Sequence, residues 1–299
     1  NSVKVAEITK IGKTTMGFLL IATFTTLPEL SVSIFSTMDP KTIGIAIGNV
    51  LGSNIVNVCL ILGISCLILS LGTGSREYNF NSMTLKEMKD FYFGIFIASL
   101  IPLVLCYVGY VNNIIGIILV MLFIAHNLQL IKSMGSKRDK EGYDLSKKNE
   151  VNRCVLLTLI GALGVVCSAY MIIESASFIA IKLGIPKIII GATLVAFGTS
   201  LPELANSVNA TRKGHFDLVL GNIIGSCFIN ITLILGVALI GGPFRVEMAA
   251  YSSLIIFSIM SNLLLWYFLS SRRISWKESL ILIFMYALFI FTSFGARQP

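Results

Sequence analysis

The chain contains 299 residues, of which 55% are hydrophobic and only 13% are charged, and its mean hydropathy is +0.86. Because a soluble domain carries about 25% charged residues, this composition excludes a soluble protein and indicates an all-α polytopic membrane protein. The formal net charge of +8 comes from the polar loops and requires no nucleic-acid partner.

Apolar stretches long enough to cross a bilayer follow one another along the whole chain. They predict nine transmembrane helices, at Thr14–Met38, Ile43–Leu71, Phe91–Val108, Ile114–Lys132, Val151–Ile181, Lys187–Ala210, Leu218–Ile240, Met248–Ser270 and Ser275–Phe294. A basic connection at 135–150 divides the chain into a first transmembrane repeat at 1–134 and a second at 151–299. A charge run of this kind is usually a solvated loop.

The positive residues are distributed unevenly over the two sides of this topology. Most of the 23 Lys and Arg residues lie on the side of the N-terminus and of the loop at 135–150. The exceptions are Lys41, Lys182, Lys187, Arg245 and Arg297. Because positive loops face the cytoplasm, we expect the loop at 135–150 to be cytoplasmic. The short loops favour the plasma membrane of a prokaryote.

One motif occurs twice, once in each half of the chain. The first copy is Thr25-Thr26-Leu27-Pro28-Glu29-Leu30 and the second is Thr199-Ser200-Leu201-Pro202-Glu203-Leu204. Each copy places a single carboxylate inside an apolar span, where a charge is costly and marks a functional site. Proline removes a helix hydrogen bond, so each span is predicted to break there and to present backbone carbonyls to protein or a wet cavity. Carbonyls, hydroxyls and a carboxylate together predict an oxygen-rich cation site.

A second motif follows each of these copies. Three polar residues recur every four positions and therefore share one helix face. They are Asn49, Ser53 and Asn57 in the first copy and Asn222, Ser226 and Asn230 in the second. Glycines with small-xxx-small spacing accompany them and allow close helix approach. These are Gly48 with Gly52 and Gly221 with Gly225.

The two motif copies enter the membrane from opposite sides in the predicted topology. The span at Thr14–Met38 runs outward from the cytoplasm, whereas the span at Lys187–Ala210 runs inward. This arrangement is an inverted repeat. The second half has a further span, Val151–Ile181, before its motif, and the first half has no counterpart before Thr14. We therefore expect a missing first helix, which gives five plus five transmembrane helices with nine visible here.

Other kinds of chemistry find no support in the sequence. The six cysteines lie in or beside apolar spans without a CxxC spacing, which is typical of packing residues. The sequence contains no phosphate loop, HExxH motif or nucleophile elbow. An ATP-driven pump would also need a nucleotide domain, for which no soluble segment is large enough. We therefore expect neither an enzyme nor a cofactor, only transported ions.

The stretch Gly191–Leu204, which reads GATLVAFGTSLPEL, resembles the second repeat of the calcium/cation antiporter superfamily, most closely its sodium/calcium exchanger branch. Both repeats match that family at two motifs each, and the resemblance covers essentially the whole chain. It implies ten helices and a central ion site that is reached alternately from each side of the membrane.

The resemblance also implies ion-binding roles for particular residues. Glu29 and Glu203 should be the carboxylates shared by Ca²⁺ and Na⁺. Hydroxyls or carbonyls should come from Thr25, Thr26, Thr199, Ser200, Ser53 and Ser226. Backbone carbonyls should come from Ala22 and Ala196, and the remaining central positions are Asn57 and Asn230.

Three features depart from the family pattern. Many members have an Asp where this chain has Asn230, so both central positions are amides here, which resembles the mitochondrial sodium/calcium exchanger branch. Phe24 replaces the glycine seen at Gly198, so the first helix break is expected to be less open. The first helix of the family pattern is expected to be missing. Because two carboxylates neutralise one Ca²⁺, two Na⁺ or two H⁺, we expect exchange closer to electroneutral than a three-sodium cycle.

The leading hypothesis is a secondary antiporter that moves Ca²⁺ against Na⁺ across the lipid bilayer by alternating access and functions as a monomer. An H⁺/Ca²⁺ antiporter is an open alternative, because desolvation favours the protonated form of a carboxyl group. A cation channel is less consistent with an inverted two-fold repeat, since selectivity filters surround an axial pore. A structural membrane protein offers no reason for two buried Glu.

Overall fold

The structure is a computed structural model that describes residues 21–39, 41–72, 77–79, 84–111, 113–135, 168, 171–241, 244–245, 248–271 and 273–295. Its helices are α1 (Ala22–Thr25), α2 (Leu27–Ser36), α3 (Ile43–Ile55), α4 (Leu62–Gly72), α5 (Leu85–Val108), α6 (Asn113–Gly135), α7 (171–183), α8 (Lys187–Ile190), α9 (Ala196–Thr199), α10 (Leu201–Arg212), α11 (Phe216–Ile229), α12 (Leu235–Gly241), α13 (Met248–Ser270) and α14 (Trp276–Gly295). The loop at 136–150 and the first 20 residues, on which the predicted missing helix depends, lie outside these ranges.

Within the described ranges, six helical runs are long and apolar enough to cross a membrane, and one bent pair raises the number to seven. The six are Ile43–Leu71, Glu87–Val108, Asn113–Leu130, Phe216–Gly241, Tyr251–Ser270 and Trp276–Gly295, and the bent pair is Lys187–Thr199 with Leu201–Arg212. They correspond to seven of the predicted spans. The other two, Thr14–Met38 and Val151–Ile181, are described only in part. The prediction of a helical, multi-pass membrane protein is confirmed.

Burial separates inner from outer helices. In the most apolar parts of Ile43–Leu71 and Phe216–Gly241, 67% and 83% of the residues are buried, against 22% in Asn113–Leu130 and in Trp276–Gly295. A span that is apolar all round and also buried belongs to the centre of the bundle. The spans that carry the Gly/Asn motifs are therefore central, and the outer helices present apolar side chains to the lipid.

Short π-helical segments interrupt three of the membrane-length runs. Val56–Ile61 joins α3 to α4, Gly191–Val195 joins α8 to α9, and Asn230–Ile234 joins α11 to α12. A π-helical turn widens the helix locally and is frequent at functional sites. Asn57 and Asn230 both lie within such segments, so the predicted polar faces end where the helix is locally widened.

Helix α3 crosses α8 and the π-helical segment after it with almost no space between the backbones. A Cβ atom added to Gly48 would overlap the carbonyl oxygen of Ile188, and one added to Gly52 would overlap that of Ala192. The close approach predicted from the small-xxx-small spacing is therefore present in the first copy. It brings the polar face of the first copy next to the motif helix of the second.

Two antiparallel strand pairs connect loops of the two halves. Strand β1 (Glu77–Asn79), between α4 and α5, pairs with β4 (Arg273–Ser275), which precedes α14. Strand β2 (Tyr110–Val111), after α5, pairs with β3 (Phe244–Arg245), between α12 and α13. Helix α5 has 24 residues, and a helix of that length spans about 36 Å. The two strand pairs therefore lie at opposite ends of α5.

We expect Gly52→Ala to destabilise the protein, because the added methyl group would overlap backbone of the facing segment, and overpacking costs about 1–3 kcal/mol. The measurement is the midpoint of thermal unfolding in detergent. Gly44→Ala is the matched control, since Gly44 lies on the same helix and its added Cβ atom would be 3.6 Å from its nearest neighbour. Equal midpoints for the two variants would contradict the close crossing.

Candidate cation site

Each motif helix is broken one turn before its Glu. Thr26 (φ −83°, ψ 6°) separates α1 from α2, and Ser200 (φ −84°, ψ 6°) separates α9 from α10. Pro28 and Pro202 occupy the second position of the new helix, where an absent N–H breaks no intrahelical bond. The second break bends the chain by 44°. Both breaks predicted from the prolines are therefore found.

The expected narrowing of the first break by Phe24 is not found. The Phe24 side chain is 57% exposed, and a Cβ atom added to its counterpart Gly198 would meet nothing within 4 Å. Both positions point away from the packed interior, so the difference in size has no consequence for the break. The nearly identical dihedral angles at Thr26 and Ser200 agree with this.

The two motif carboxylates converge in the interior of the bundle. Glu29 and Glu203 lie in the first turns of α2 and α10, and both side chains have an exposed fraction of 0%. They are close enough to repel each other electrostatically. The Ser200 hydroxyl, from the second copy, donates a hydrogen bond of 3.2 Å to Oε1 of Glu29. Over the described ranges, no Lys, Arg or His pairs with either carboxylate, so none of the described residues supplies a counter-charge there.

Two equivalent hydrogen bonds connect the copies on either side of the carboxylates. The Thr25 hydroxyl donates to Oδ1 of Asn222 over 3.2 Å, and the Thr199 hydroxyl donates to Oδ1 of Asn49 over 3.0 Å. Each bond runs from the break of one copy to the polar helix face of the other. Exchange of the two halves converts one bond into the other, so the site has an approximate two-fold symmetry.

The backbone carbonyls predicted as ligands lie at the breaks and accept bonds from their own helices. The oxygen of Ala22 accepts from the amide and the hydroxyl of Thr26 at 3.0 and 2.9 Å. The oxygen of Ala196 accepts from the amide of Ser200 at 3.1 Å and lies 3.3 Å from the hydroxyl of Thr199, which shares its single proton with Asn49. A carbonyl oxygen has two lone pairs and can accept more than one hydrogen bond. These contacts therefore hold the two carbonyl groups in position at the helix breaks. Their role as ligands stays a prediction.

Several buried polar atoms of this cluster have no hydrogen-bond partner within the part of the chain that the structure describes. They are Oε2 of Glu29, both carboxylate oxygens of Glu203, the hydroxyls of Ser53 and Ser226, Oδ1 and Nδ2 of Asn57, and Oδ1 of Asn230. Buried polar groups are costly when they are left unpaired. Most of these atoms are hard oxygens, of which Ca²⁺ takes six to eight. The predicted residues therefore fit a hard cation.

Three asparagines of the site are absent from the predicted ligand set. The four-residue spacing placed Asn49 and Asn222 on the polar helix faces, but their bonds to the opposite copy were not expected. Asn54 follows the motif serine Ser53 and lies outside the four-residue pattern. Its Oδ1 accepts a hydrogen bond of 3.1 Å from Nδ2 of Asn230. Only the presence of a further amide in a membrane-length helix could have singled it out.

Membrane-length helices around a buried carboxylate pair define a polytopic membrane protein with a candidate functional site in its interior. The chain belongs to the sodium/calcium exchanger protein family, whose model matches residues 1–131 and 154–295. The family resemblance inferred from the motifs is thereby confirmed. Members of this family are transporters.

Individual relatives resemble the chain over most of their length. It is 32% identical to the uncharacterized membrane protein MJ0091 of Methanocaldococcus jannaschii, over 97% of this chain and 89% of that protein. It is 29% identical to the sodium/calcium exchanger MaX1 of Methanosarcina acetivorans, over 97% of this chain and 91% of that protein. A solved structure of the sodium-calcium exchanger NCX_Mj is similar with a TM-score of 0.73 and 27% identity, over 97% of this chain and 90% of that chain.

We expect Glu203→Gln to abolish Ca²⁺ binding, because the remaining carboxylate cannot neutralise a divalent ion. The ion-free variant should unfold at or above the wild-type temperature, since an uncompensated buried charge is removed. Calcium titration calorimetry and thermal unfolding of the purified protein measure the two effects.

The matched control for this substitution is Glu174→Gln. Glu174 is exposed on α7, so its replacement should leave Ca²⁺ binding unchanged. Calcium binding of wild-type strength in Glu203→Gln would refute the assignment of the carboxylate pair as the cation site.

Proposed function

We propose that the chain is a secondary antiporter that exchanges Ca²⁺ for Na⁺ across a membrane by alternating access. The observation that carries this proposal is the convergence of Glu29 and Glu203, completely buried and without a protein counter-charge among the described residues. Membership of the family supports it. So do the relative named a sodium/calcium exchanger and the similar structure of a sodium-calcium exchanger.

Coupling follows from the use of one carboxylate pair by both ions. When both carboxyl groups are ionised, their charge matches one Ca²⁺ or two Na⁺, and the same oxygens cannot serve both at once. One ion must therefore leave before the other binds, which links the two fluxes without covalent chemistry. The proposed ligands are Glu29, Glu203, Asn57, Asn230, Thr25, Thr26, Thr199, Ser200, Ser53, Ser226 and the carbonyls of Ala22 and Ala196.

A five-plus-five inverted repeat would give this site equivalent access from both sides. When the two halves are exchanged, β1 takes the place of β3 and β4 takes the place of β2. The pair β1–β4 is thereby superposed on the pair β2–β3, and the two pairs lie at opposite ends of α5. A two-fold axis that exchanges opposite ends of a membrane helix lies in the membrane plane, which is the geometry of inverted-repeat transporters. We infer repeats at 1–134 and 151–299, joined by the loop at 135–150.

The remaining features of this proposal concern the setting of the protein in the membrane. We infer that the loop at 135–150 is cytoplasmic, from the distribution of positive residues. Similar proteins occur in archaea and bacteria, which supports a prokaryotic plasma membrane. Because both carboxylates come from one chain, a monomer contains a complete site.

A second candidate function is H⁺/Ca²⁺ antiport, because a carboxylate pair can carry protons in place of Na⁺. The hydroxyl and amide groups around the pair favour Na⁺, since a proton on a carboxyl group needs no further ligands. In an H⁺/Ca²⁺ antiporter, binding of the counter-ion would not use the hydroxyl groups of Thr25, Thr199, Ser53 and Ser226.

Calcium uptake into liposomes distinguishes these candidates. With the purified protein reconstituted, we expect uptake driven by an outward Na⁺ gradient and none driven by an outward H⁺ gradient without Na⁺. Liposomes containing Glu203→Gln are the matched control for leakage. Uptake driven only by the H⁺ gradient would reject Na⁺ coupling in favour of H⁺ coupling.

The amides at positions 57 and 230 lead to a prediction about charge movement. Because Asn57 and Asn230 add no charge to the carboxylate pair, we expect Na⁺-driven Ca²⁺ flux to be nearly independent of membrane voltage. Asn230→Asp adds a third carboxylate, so the variant should bind additional positive charge during the Na⁺ step and become voltage-dependent.

The measurement is Ca²⁺ flux in liposomes whose voltage is clamped with K⁺ and valinomycin, at the same ion gradients for both proteins. Equal voltage dependence of the wild type and of Asn230→Asp would show that the charge at position 230 does not control stoichiometry. Sustained charge movement during Na⁺-driven Ca²⁺ flux through the wild-type protein would contradict an electroneutral cycle.

A further inference from the structure

The side chain of Asn54 connects the two copies of the motif beside the cation site. It lies on α3 and is 1% exposed. Its Nδ2 donates to the backbone carbonyl oxygen of Cys227 over 3.5 Å, and its Oδ1 accepts from Nδ2 of Asn230 over 3.1 Å. Both partners belong to the second copy, so this one amide of the first copy contacts the other half of the site.

These two contacts determine which way each amide faces. A backbone carbonyl can only accept a hydrogen bond, so Asn54 must turn its Nδ2 toward Cys227 and its Oδ1 toward Asn230. That oxygen also only accepts, so Asn230 must present its Nδ2 to it. The Oδ1 of Asn230 is left on the other side of its amide, buried and without a hydrogen-bond partner within the described ranges.

The orientation matters because the two ends of an amide act oppositely on a cation. The oxygen is a ligand for Ca²⁺ or Na⁺, whereas the NH₂ group is a donor with partial positive charge and repels them. If the amide of Asn230 turned around, the site would lose one oxygen and gain a repulsive group. A carboxylate at this position would need no such control, since both of its terminal atoms are oxygens.

The equivalent pair across the two copies is Cys227 with Asn57, and their interaction is weaker than that of Asn54 with Asn230. The residue of the second copy that corresponds to Asn54 in the motif is Cys227, which has no amide. Neither amide atom of Asn57 has a hydrogen-bond partner in the described part of the chain. The two central amides therefore differ, because a carboxamide of the opposite copy orients that of Asn230, whereas a thiol lies beside that of Asn57.

We propose that Asn54 is a positioning residue that directs the carboxamide oxygen of Asn230 toward the transported cation. It acts through Asn230 and does not touch the ion. This role rests on the proposed cation exchange and adds to it a residue outside the predicted ligand set.

The test measures equilibrium Ca²⁺ binding to the purified full chain by calorimetry, and thermal unfolding of the same samples without Ca²⁺ or Na⁺. Asn54→Leu removes the acceptor and frees the amide of Asn230 to turn. We expect Ca²⁺ affinity to fall about tenfold, with an ion-free unfolding midpoint no lower than that of the control variant.

The matched control is Asn262→Leu. Asn262 is 2% exposed and donates from Nδ2 to the hydroxyl of Ser99 over 3.1 Å, which connects α13 with α5. The substitution therefore removes a buried amide and one interhelical hydrogen bond without altering Asn230, whereas Asn54→Leu removes a buried amide and two such bonds. Its Ca²⁺ affinity should equal that of the wild type.

A second background separates amide orientation from packing. In Asn230→Asp both terminal atoms of residue 230 are oxygens, so we expect Asn54→Leu to change Ca²⁺ affinity there less than about twofold, a coupling that a double-mutant cycle measures. If Asn54→Leu does not fold, Asn54→Ala removes the same acceptor with a smaller side chain and enters the same comparisons.

Three results would overturn the role of Asn54. They are an unchanged Ca²⁺ affinity in Asn54→Leu, a loss of affinity no greater than in Asn262→Leu, and an equal loss with and without Asn230→Asp. A wild-type protein that binds neither Ca²⁺ nor Na⁺ would overturn the proposed exchange itself, and with it this role.

Discussion

Glu29 and Glu203 are buried together in an apolar bundle, and no basic side chain among the described residues neutralises them. Transfer of an ion out of water costs several kcal/mol even after relaxation, unless the charge is paired. Two carboxyl groups buried in this way lose that cost only when they are protonated or hold a cation from solution. The hydroxyl of Ser200 on Glu29 compensates only part of this cost. A partner that binds and leaves is what exchange across a membrane requires.

The backbone around the pair is arranged so that both halves can supply ligands to one point. Proline breaks start α2 and α10 with a carboxylate in the first turn, where the positive end of the helix dipole favours it. Gly48 and Gly52 let α3 cross the second motif helix at backbone contact distance. The strand pairs at the two ends of α5 then fix loops of the two halves to each other outside the site. The proposed ligands thus lie on interrupted helices, and the loops that join the surrounding helices are paired with each other.

Much of the site could be predicted because its signals are local in the sequence. Membrane spans follow from hydropathy over about twenty residues, and Glu29 and Glu203 are conspicuous because each is a lone carboxylate after a proline in such a span. The four-residue spacing of Asn49, Ser53 and Asn57 identifies one helix face.

Other features depend on how distant helices cross, which no local pattern encodes. Asn54 is displaced by one position from the polar face, and its contact with Asn230 exists only because α3 meets the π-helical segment that follows α11. The two- and three-residue strands are too short to show an alternating pattern. Phe24 was expected to narrow the first break, but the side chain is exposed, and exposure depends on the packing of the whole bundle.

Competition between Na⁺ and Ca²⁺ at equilibrium is the most direct test of a single shared carboxylate pair. Calorimetric Ca²⁺ titrations of the purified protein at increasing Na⁺, with ionic strength held constant by choline, would measure it. We expect the apparent Ca²⁺ dissociation constant to rise steadily with Na⁺ while the number of Ca²⁺ sites stays the same. A Ca²⁺ affinity that does not change with Na⁺ would contradict a site shared by the two ions.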